Sequence, residues 1–259
     1  STMRSFVLAS IGASAAGLMI VFFVLMLVSG KIVKPFSESY EKQKQFITDA
    51  GHELKTPLTI IDADTEILEM DYGENKWAKD IHRQTKRLTE LTNDLITLSR
   101  MEETETVSLT ETVNLSEIVK EEVNSFYNLA ATQNKALESE IDSCIEMQGD
   151  EKALHRLVSI LLDNAVKYSQ KGGKISVTLK EQHRNARLIV YNTTTEIKRE
   201  SLSQLFDRFY RTDQSRNSKS GGYGLGLSIA SFIVRAHKGK IWASTDDEKS
   251  LNITVTLPI

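Results

Sequence analysis

Three short stretches of this 259-residue chain carry side chains whose types and spacing could do chemistry. The first is Phe46-Ile47-Thr48-Asp49-Ala50-Gly51-His52-Glu53-Leu54-Lys55-Thr56-Pro57-Leu58. Ile47, Leu54, Ile61 and Leu68 recur every seven residues, the period of a coiled-coil-like seam, and His52 falls between the apolar rows. Its ring is therefore expected to face solvent. An exposed imidazole is a nucleophile through one nitrogen when the other gives its proton to a base, and Glu53 is the adjacent candidate. Thr56, four residues after His52, shares that helix face, and its hydroxyl could align a water. Pro57 removes a backbone donor and crowds the Glu53 carbonyl, so the helix is expected to loosen one turn past the histidine. The plain alternative is a surface histidine on a solvated helix.

The second stretch, Leu161-Leu162-Asp163-Asn164-Ala165-Val166-Lys167-Tyr168, lies near the end of a predicted helix and puts an amide oxygen, an ammonium and a phenol on adjacent turns. Magnesium prefers hard oxygen ligands, a role open to Asn164. Lys167 can neutralise phosphate charge, and Tyr168 can pack on a flat purine. The third is Gly221-Gly222-Tyr223-Gly224-Leu225-Gly226-Leu227. Gly222, Gly224 and Gly226 would let backbone amides approach phosphates at the start of the helix that follows, where the helix dipole favours anions. Taken singly, these are most simply a solvated helix face and a flexible loop.

Placing those groups requires several elements. Phe6 to Val28 is an apolar run without a charge, long enough at about 1.5 Å per residue to cross a hydrocarbon core of roughly 30 Å. The alternative, a cleaved signal peptide, fits poorly because the run exceeds a typical apolar region of that kind. Lys31, Lys34, Lys42 and Lys44 follow it, against Arg4 before it, so its C-terminal side is expected in the cytoplasm. Gly12, Ala13, Ala16 and Gly17 offer small-residue spacing for helix approach. A polar, helix-compatible link, Phe36 to Gln45, leads into the His52 helix, which should run to about Met70. Asp71 to Asn75 reads as a turn, and a second helix is expected from Lys76 to Met101. Ile81, Leu88 and Leu95 form one seam on it, Leu91 and Leu98 another. A hairpin with two seams cannot bury both alone, so two chains are expected to pair into a four-helix bundle; packing of the hairpin on the C-terminal domain is the alternative.

After the acidic linker Glu102 to Thr106, a helix is predicted from Leu115 to Gln133 with Asn114 or Ser116 as cap, and another capped by Asp150. Ile175-Val177-Leu179, Leu188-Val190 and Ile253-Val255-Leu257 alternate as half-buried strands, and a helix is expected around Ile229 to His237. Helices and mostly antiparallel strands in this order suggest a two-layer α/β sandwich. The net charge of −3 gives no basic footprint, which argues against nucleic-acid binding. A single cysteine, Cys144, allows no intrachain disulfide and no cysteine-based zinc site. His82, His155, His183 and His237 lack metal-ligand spacing along the chain, so no structural metal is expected.

Together these motifs carry a resemblance. His52-Glu53-Leu54-Lys55-Thr56-Pro57-Leu58 resembles the phosphoacceptor box of the sensor histidine kinases of bacterial two-component systems, in the branch with the Glu-x-x-Thr phosphatase pattern. Leu161 to Tyr168 resembles the N box of their ATP-binding domain, shared with the GHKL ATPases. Leu205-Phe206-Asp207-Arg208-Phe209-Tyr210-Arg211 and Gly221 to Ala230 resemble the F box and second glycine box, in family order. The resemblance covers about Phe46 to Ile259. It implies ATP and Mg2+ as cofactors, a homodimer, and a response-regulator receiver domain as partner; Arg208 and Arg211 become candidate contacts to the transferring phosphate, and Thr212 to Ser220 a mobile lid. It also implies a sensing region between two membrane spans, so the chain reads as a piece beginning near the second. Pro35 to His52 is too short for the HAMP module common in the family.

The first glycine box departs from the pattern of an acid followed by two glycines: Asn192 stands at the acid, Thr194 and Glu196 at the glycines. Asn192 can still accept from an adenine amino group, through a weaker neutral hydrogen bond. Ile160 replaces a polar residue common one turn before Asn164. The expected organisation is a transmembrane helix at 6–28, a juxtamembrane linker at 29–45, a dimerisation and histidine-phosphotransfer domain at 46–106, and a catalytic ATP-binding domain at 107–259. Two readings follow: an ATP-dependent autokinase of the cell membrane with cytoplasmic kinase domains, or a scaffold or phosphatase-biased receptor with a degenerate nucleotide site.

Overall fold

The computed structural model describes residues 2–28, 34–73, 75–103, 111–211 and 223–259. The chain divides into two compact units, 1–50 and 51–259. In the first, α1 (Thr2–Val28) carries a charge only at Arg4, and from Thr2 to Met26 it is long and apolar enough to cross a membrane. Phe6, Leu18, Phe22 and Met26 are all exposed.

Helices α2 (Lys34–Tyr72) and α3 (Lys76–Glu103) form a hairpin. At the turn Gly73 takes φ +78°. Asn75 Oδ1 accepts from the Trp77 amide at 2.9 Å, satisfying an orphan donor of the first turn of α3. Pro57 sits inside α2 without ending it, and the helix continues to Tyr72. The seam between the two helices consists of Leu58, Thr65, Ala78, Thr85, Thr92 and Ile96, all buried. Each of its threonines donates its hydroxyl to the carbonyl four residues back (Ile61, Ile81 and Leu88), which satisfies the polar atom inside a close helix contact. Gly51 marks the tightest approach: a Cβ there would lie 2.5 Å from Ile96 Cγ1.

The apolar seam residues Leu54, Ile61 and Leu68 of α2, and Ile81 and Leu88 of α3, stay exposed. Leu98 instead joins the core of the C-terminal domain, with Leu91 and Leu95 packed against it. One expected seam of α3 is thus covered within the chain.

The C-terminal domain starts with β1 (Glu111–Asn114), α4 (Leu115–Thr132), β2 (Ala136–Ile141), β3 (Glu146–Gly149) and α5 (Glu151–Tyr168). It continues through β4 (Lys174–Gln182), β5 (Asn185–Thr193), α6 (Gly226–Ala236), β6 (Lys240–Ser244) and β7 (Ser250–Pro258). Five strands form one sheet in the order β2-β4-β5-β7-β6, parallel only between β2 and β4, while β1 and β3 pair separately. Alternation along β5 buries Ala186, Leu188, Val190 and Asn192 on one face. Against that face lie α4, α5 and α6, whose Val119, Leu157, Leu161 and Ile229 are fully buried. Of the two candidate caps of α4, Asn114 serves, its Oδ1 accepting from Glu117 N, while Ser116 bridges to Asp142 and Ile145. Asp150 caps α5 at Ala153 N, as the sequence predicts.

Candidate functional site

Between α5, the end of β5 and the start of α6 the domain opens a cavity of about 630 Å³. Each wall follows from local sequence. Helix α5 ends at Tyr168 because Ser169 turns extended, and the last turn carries Asp163, Asn164, Lys167 and Tyr168 into the lining. Lys135 reinforces this turn by donating Nζ to the Val166 carbonyl. Lys167 Nζ pairs with Asp163 Oδ2 at 2.7 Å, so its charge is shared with a carboxylate one turn away.

The opposite wall is backbone. Gly224 takes φ +77°, and a Cβ there would meet the Tyr210 carbonyl oxygen at 2.6 Å. Its carbonyl accepts from Phe209 N at 3.0 Å, and Phe209 itself sits at φ 61°. The Leu205 to Arg211 segment and the glycine-rich turn therefore interlock through main chain. Helix α6 starts at Gly226 with Leu225 as N-cap, a residue without a side-chain acceptor. Its first amides have no intrahelical partner, and Gly224 to Leu227 line the cavity, an arrangement suited to an anion.

The floor is Asn192, 1 % exposed on β5. Its Nδ2 donates to the Thr193 carbonyl at 3.0 Å, which leaves Oδ1 to accept from a ligand. Thr194 and Ile197 donate their amides to Lys249 and Glu248 at 2.7 and 2.8 Å. Thr194, Thr195 and Glu196 thus fill the lining with side chains on a turn tied to the β6–β7 connection. Ile160 is buried in the same wall.

A fourth wall had no signal in the sequence. Glu90, Asn93 and Asp94 of α3 line the cavity, and Arg156 of α5 reaches Asp94 Oδ1 at 2.6 Å. Burial holds the Asp94 carboxyl above its usual range, against the lowering pull of the Arg156 guanidinium. The burial cost outweighs the ion pair because Arg156 is about half exposed and its field is screened.

His52, Glu53 and Thr56 are exposed on α2 and lie outside the cavity lining. Their level on the hairpin is nevertheless set by Gly51, which packs on Ile96. Asn93 and Asp94 precede Ile96 by less than one turn, about 3 to 5 Å along the helix axis. The cavity therefore opens on α3 at the height of His52. Of the other expected site residues, Asn164, Lys167, Tyr168, Asn192, Arg211, Gly224 and Gly226 converge on the cavity. Arg208 is exposed and not part of the lining. Gly222 and the expected lid Thr212 to Ser220 lie outside the described residues, as do the link residues 29–33 and the linker from Thr104 onward.

An exposed histidine on a helical hairpin, followed by an α/β sandwich with a glycine-edged cavity, defines a kinase-type pairing of phosphoacceptor and ATPase domains. Residues 42–104 match the family described as the His Kinase A (phospho-acceptor) domain. Residues 149–259 match the histidine kinase-, DNA gyrase B- and HSP90-like ATPase family. The chain is 35 % identical over 236 residues to the sensor protein DltS of Streptococcus agalactiae, covering 91 % of this chain and 59 % of that one. It is 34 % identical over 238 residues to the sensor histidine kinase RppB of a Synechocystis species, covering 90 % and 52 %. In fold it is similar to full-length ShkA in complex with AMPPNP, at TM-score 0.69 and 18 % identity over 83 % of this chain and 45 % of that one. The chain belongs to the two-component sensor histidine kinases, with a GHKL-type ATPase domain after the phosphoacceptor domain. It spans between half and three fifths of the length of these two sensor relatives.

Proposed function

We propose that this chain is the membrane-proximal and kinase portion of a sensor that phosphorylates itself on His52 and passes the phosphoryl group to an aspartate of a response-regulator receiver domain. The observation that carries it is the cavity: phosphate-type amides at α6, a buried base acceptor at Asn192, and an α3 wall at the height of an exposed histidine. In the reading we favour, residues 6–28 span the membrane, 29–45 link, 46–106 dimerise and carry the phosphoacceptor, and 107–259 bind ATP on the cytoplasmic side. The exposed row Leu54, Ile61, Leu68, Ile81 and Leu88 supports a second copy of the hairpin completing a four-helix bundle.

ATP fits with its base against Asn192 Oδ1 and Tyr168 and its phosphates toward Gly224, Gly226 and the amides of α6, with Lys167 and Arg211 offsetting charge. Arg208 is assigned to the transferring phosphate from a position off the cavity lining. Asn164 and Asp163 bring hard oxygen donors to the wall, a donor set that suits Mg2+. Bound there beside Asn164, the ion would neutralise phosphate charge. One ring nitrogen of His52 attacks the γ-phosphorus as its bond to the β–γ bridging oxygen breaks, ADP leaves, and the other ring nitrogen gives its proton to Glu53. The P–N bond then breaks as a receiver carboxylate oxygen takes the phosphoryl group. In the reverse task, Thr56 aligns a water and Glu53 orients it for hydrolysis of the regulator's phosphoaspartate.

Asn192, Thr194, Glu196 and buried Ile160 favour a second reading, a scaffold or phosphatase-biased receptor with weak nucleotide affinity. Incubating the full chain in detergent with Mg2+ and γ-labelled ATP, beside His52→Ala, separates the two. The kinase reading expects label on wild type and none on His52→Ala; an unlabelled wild type supports the second.

A further inference from the structure

The fold gathers three potential metal ligands that are scattered in the sequence. Asp62 and Glu66 lie one turn apart on α2, and His82 faces them from α3. One ligand atom from each lies within 4.8 Å of the others. An ion with bonds of about 2.0 to 2.2 Å holds its donor atoms roughly 3 Å apart, so closing this triangle takes a rotamer adjustment of Glu66, which is exposed.

A second observation separates this cluster from an ordinary ion pair. His82 Nδ1 lies 2.9 Å from Asp62 Oδ1, and the two side chains are each 39 % exposed. Yet the Oδ1 atom itself is covered and receives no directed hydrogen bond. The two atoms are in contact without hydrogen-bond alignment, which leaves Oδ1 able to serve a further partner.

We propose that Asp62, Glu66 and His82 form a site for a borderline divalent transition cation, such as Zn2+ or Co2+, that clasps α2 to α3. Two carboxylates and one imidazole match the charge and the donor preference of such an ion, while magnesium would select the all-oxygen wall at the nucleotide cavity instead. Three protein ligands leave the remaining positions to water. At about 100° per residue, Asp62 and Glu66 sit roughly 100 to 160° around α2 from Ile61 and Leu68, and His82 about 100 to 120° around α3 from Ile81 and Leu88. Covering the apolar row with a second chain leaves the site open. Ten residues separate Asp62 from His52 along α2, about 15 Å of helix. A bound ion would therefore tie the two helices together between the phosphoacceptor and the hairpin turn, resisting rotation of one against the other. This assignment does not depend on the kinase reading.

The test is a titration of the full chain in detergent with CoCl2 alone, without nucleotide, followed by the visible absorption of the bound ion. One equivalent is expected to bind per chain, and His82→Ala and Glu66→Gln are each expected to weaken it at least about tenfold. His155→Ala is expected to bind as wild type, although Glu121 and Glu122 flank that ring. Saturating Zn2+ should raise the thermal midpoint of wild type and not of the two site variants. Should His82→Ala lose helix content, Glu66→Gln decides, because an exposed glutamate tolerates the change. No cobalt uptake by wild type, or unchanged uptake in Glu66→Gln, overturns the site and leaves an ion pair only.

Discussion

The two walls that would hold a nucleotide are built on opposite principles. At Gly224 the main chain itself sets the shape: a positive φ, a carbonyl 2.6 Å from where a Cβ would stand, and a hydrogen bond back to Phe209. At Asn192 to Glu196 the backbone is ordinary, and side chains set the shape. At Gly224 a Cβ has no room, whereas the second wall is shaped by side chains, and it is there that the sequence carries Asn192, Thr194 and Glu196 in place of an acid and two glycines. The difference teaches that a glycine is required where the backbone forbids a Cβ, and is not required where main-chain ties such as Thr194 to Lys249 hold the turn.

The sharpest contrast comes from Gly224→Ala. It forces a Cβ into the Tyr210 carbonyl and a strained φ, so a stability loss of about 2 kcal/mol or more is expected by denaturant titration. Nucleotide affinity should fall more than about tenfold with it. A variant as stable as wild type would show that this wall is not fixed by its backbone.

Next in size is Asn192→Asp. A charged acceptor under the base should tighten ATP binding about five- to tenfold, read by calorimetry, since charge-assisted bonds exceed neutral ones by about 1 kcal/mol. The same change buries a carboxylate and drops the bond to the Thr193 carbonyl, so the nucleotide-free protein should become less stable by about 1 kcal/mol. Opposite signs in the two measurements are the signature to look for.

Thr194→Gly with Glu196→Gly should shift affinity by no more than about threefold, because the turn keeps its main-chain ties. A large gain would mean that these side chains obstruct the pocket.

The smallest effect belongs to the α3 wall. Asp94→Asn should change stability by less than about 1 kcal/mol despite the 2.6 Å ion pair, because burial already penalises the charged carboxyl. The sign is definite. A carboxyl raised in the folded state adds stability that is complete below its unfolded value of 3.8 and is lost as pH rises through the folded value. Asp94→Asn should flatten that slope in unfolding measurements made across the window.

Much of this was legible in advance. Asp150 gave the start of α5, and alternation gave β4 and β5, because one buried face leaves its period in the residues; the period-seven rows gave the two helices although most of those residues stay exposed. The threonine seam between α2 and α3 was not legible, since Thr65, Thr85 and Thr92 read as polar until their hydroxyls are seen bonded to the preceding turn. Nor was the wall from Glu90 to Asp94, or the grouping of Asp62 and Glu66 with His82. Those depend on which helix faces meet, and distance along the chain carries no record of it. Pro57 costs α2 a backbone donor without ending the helix, which continues to Tyr72.

The central claim is that one imidazole receives the γ-phosphoryl group. Brief reaction of the full chain with Mg2+ and γ-labelled ATP, then alkaline digestion and peptide sequencing by mass spectrometry, tests it directly. The account predicts a single phosphorylated residue, His52, with the label lost on mild acid treatment; phosphate on any other side chain, or acid-stable label, would contradict it.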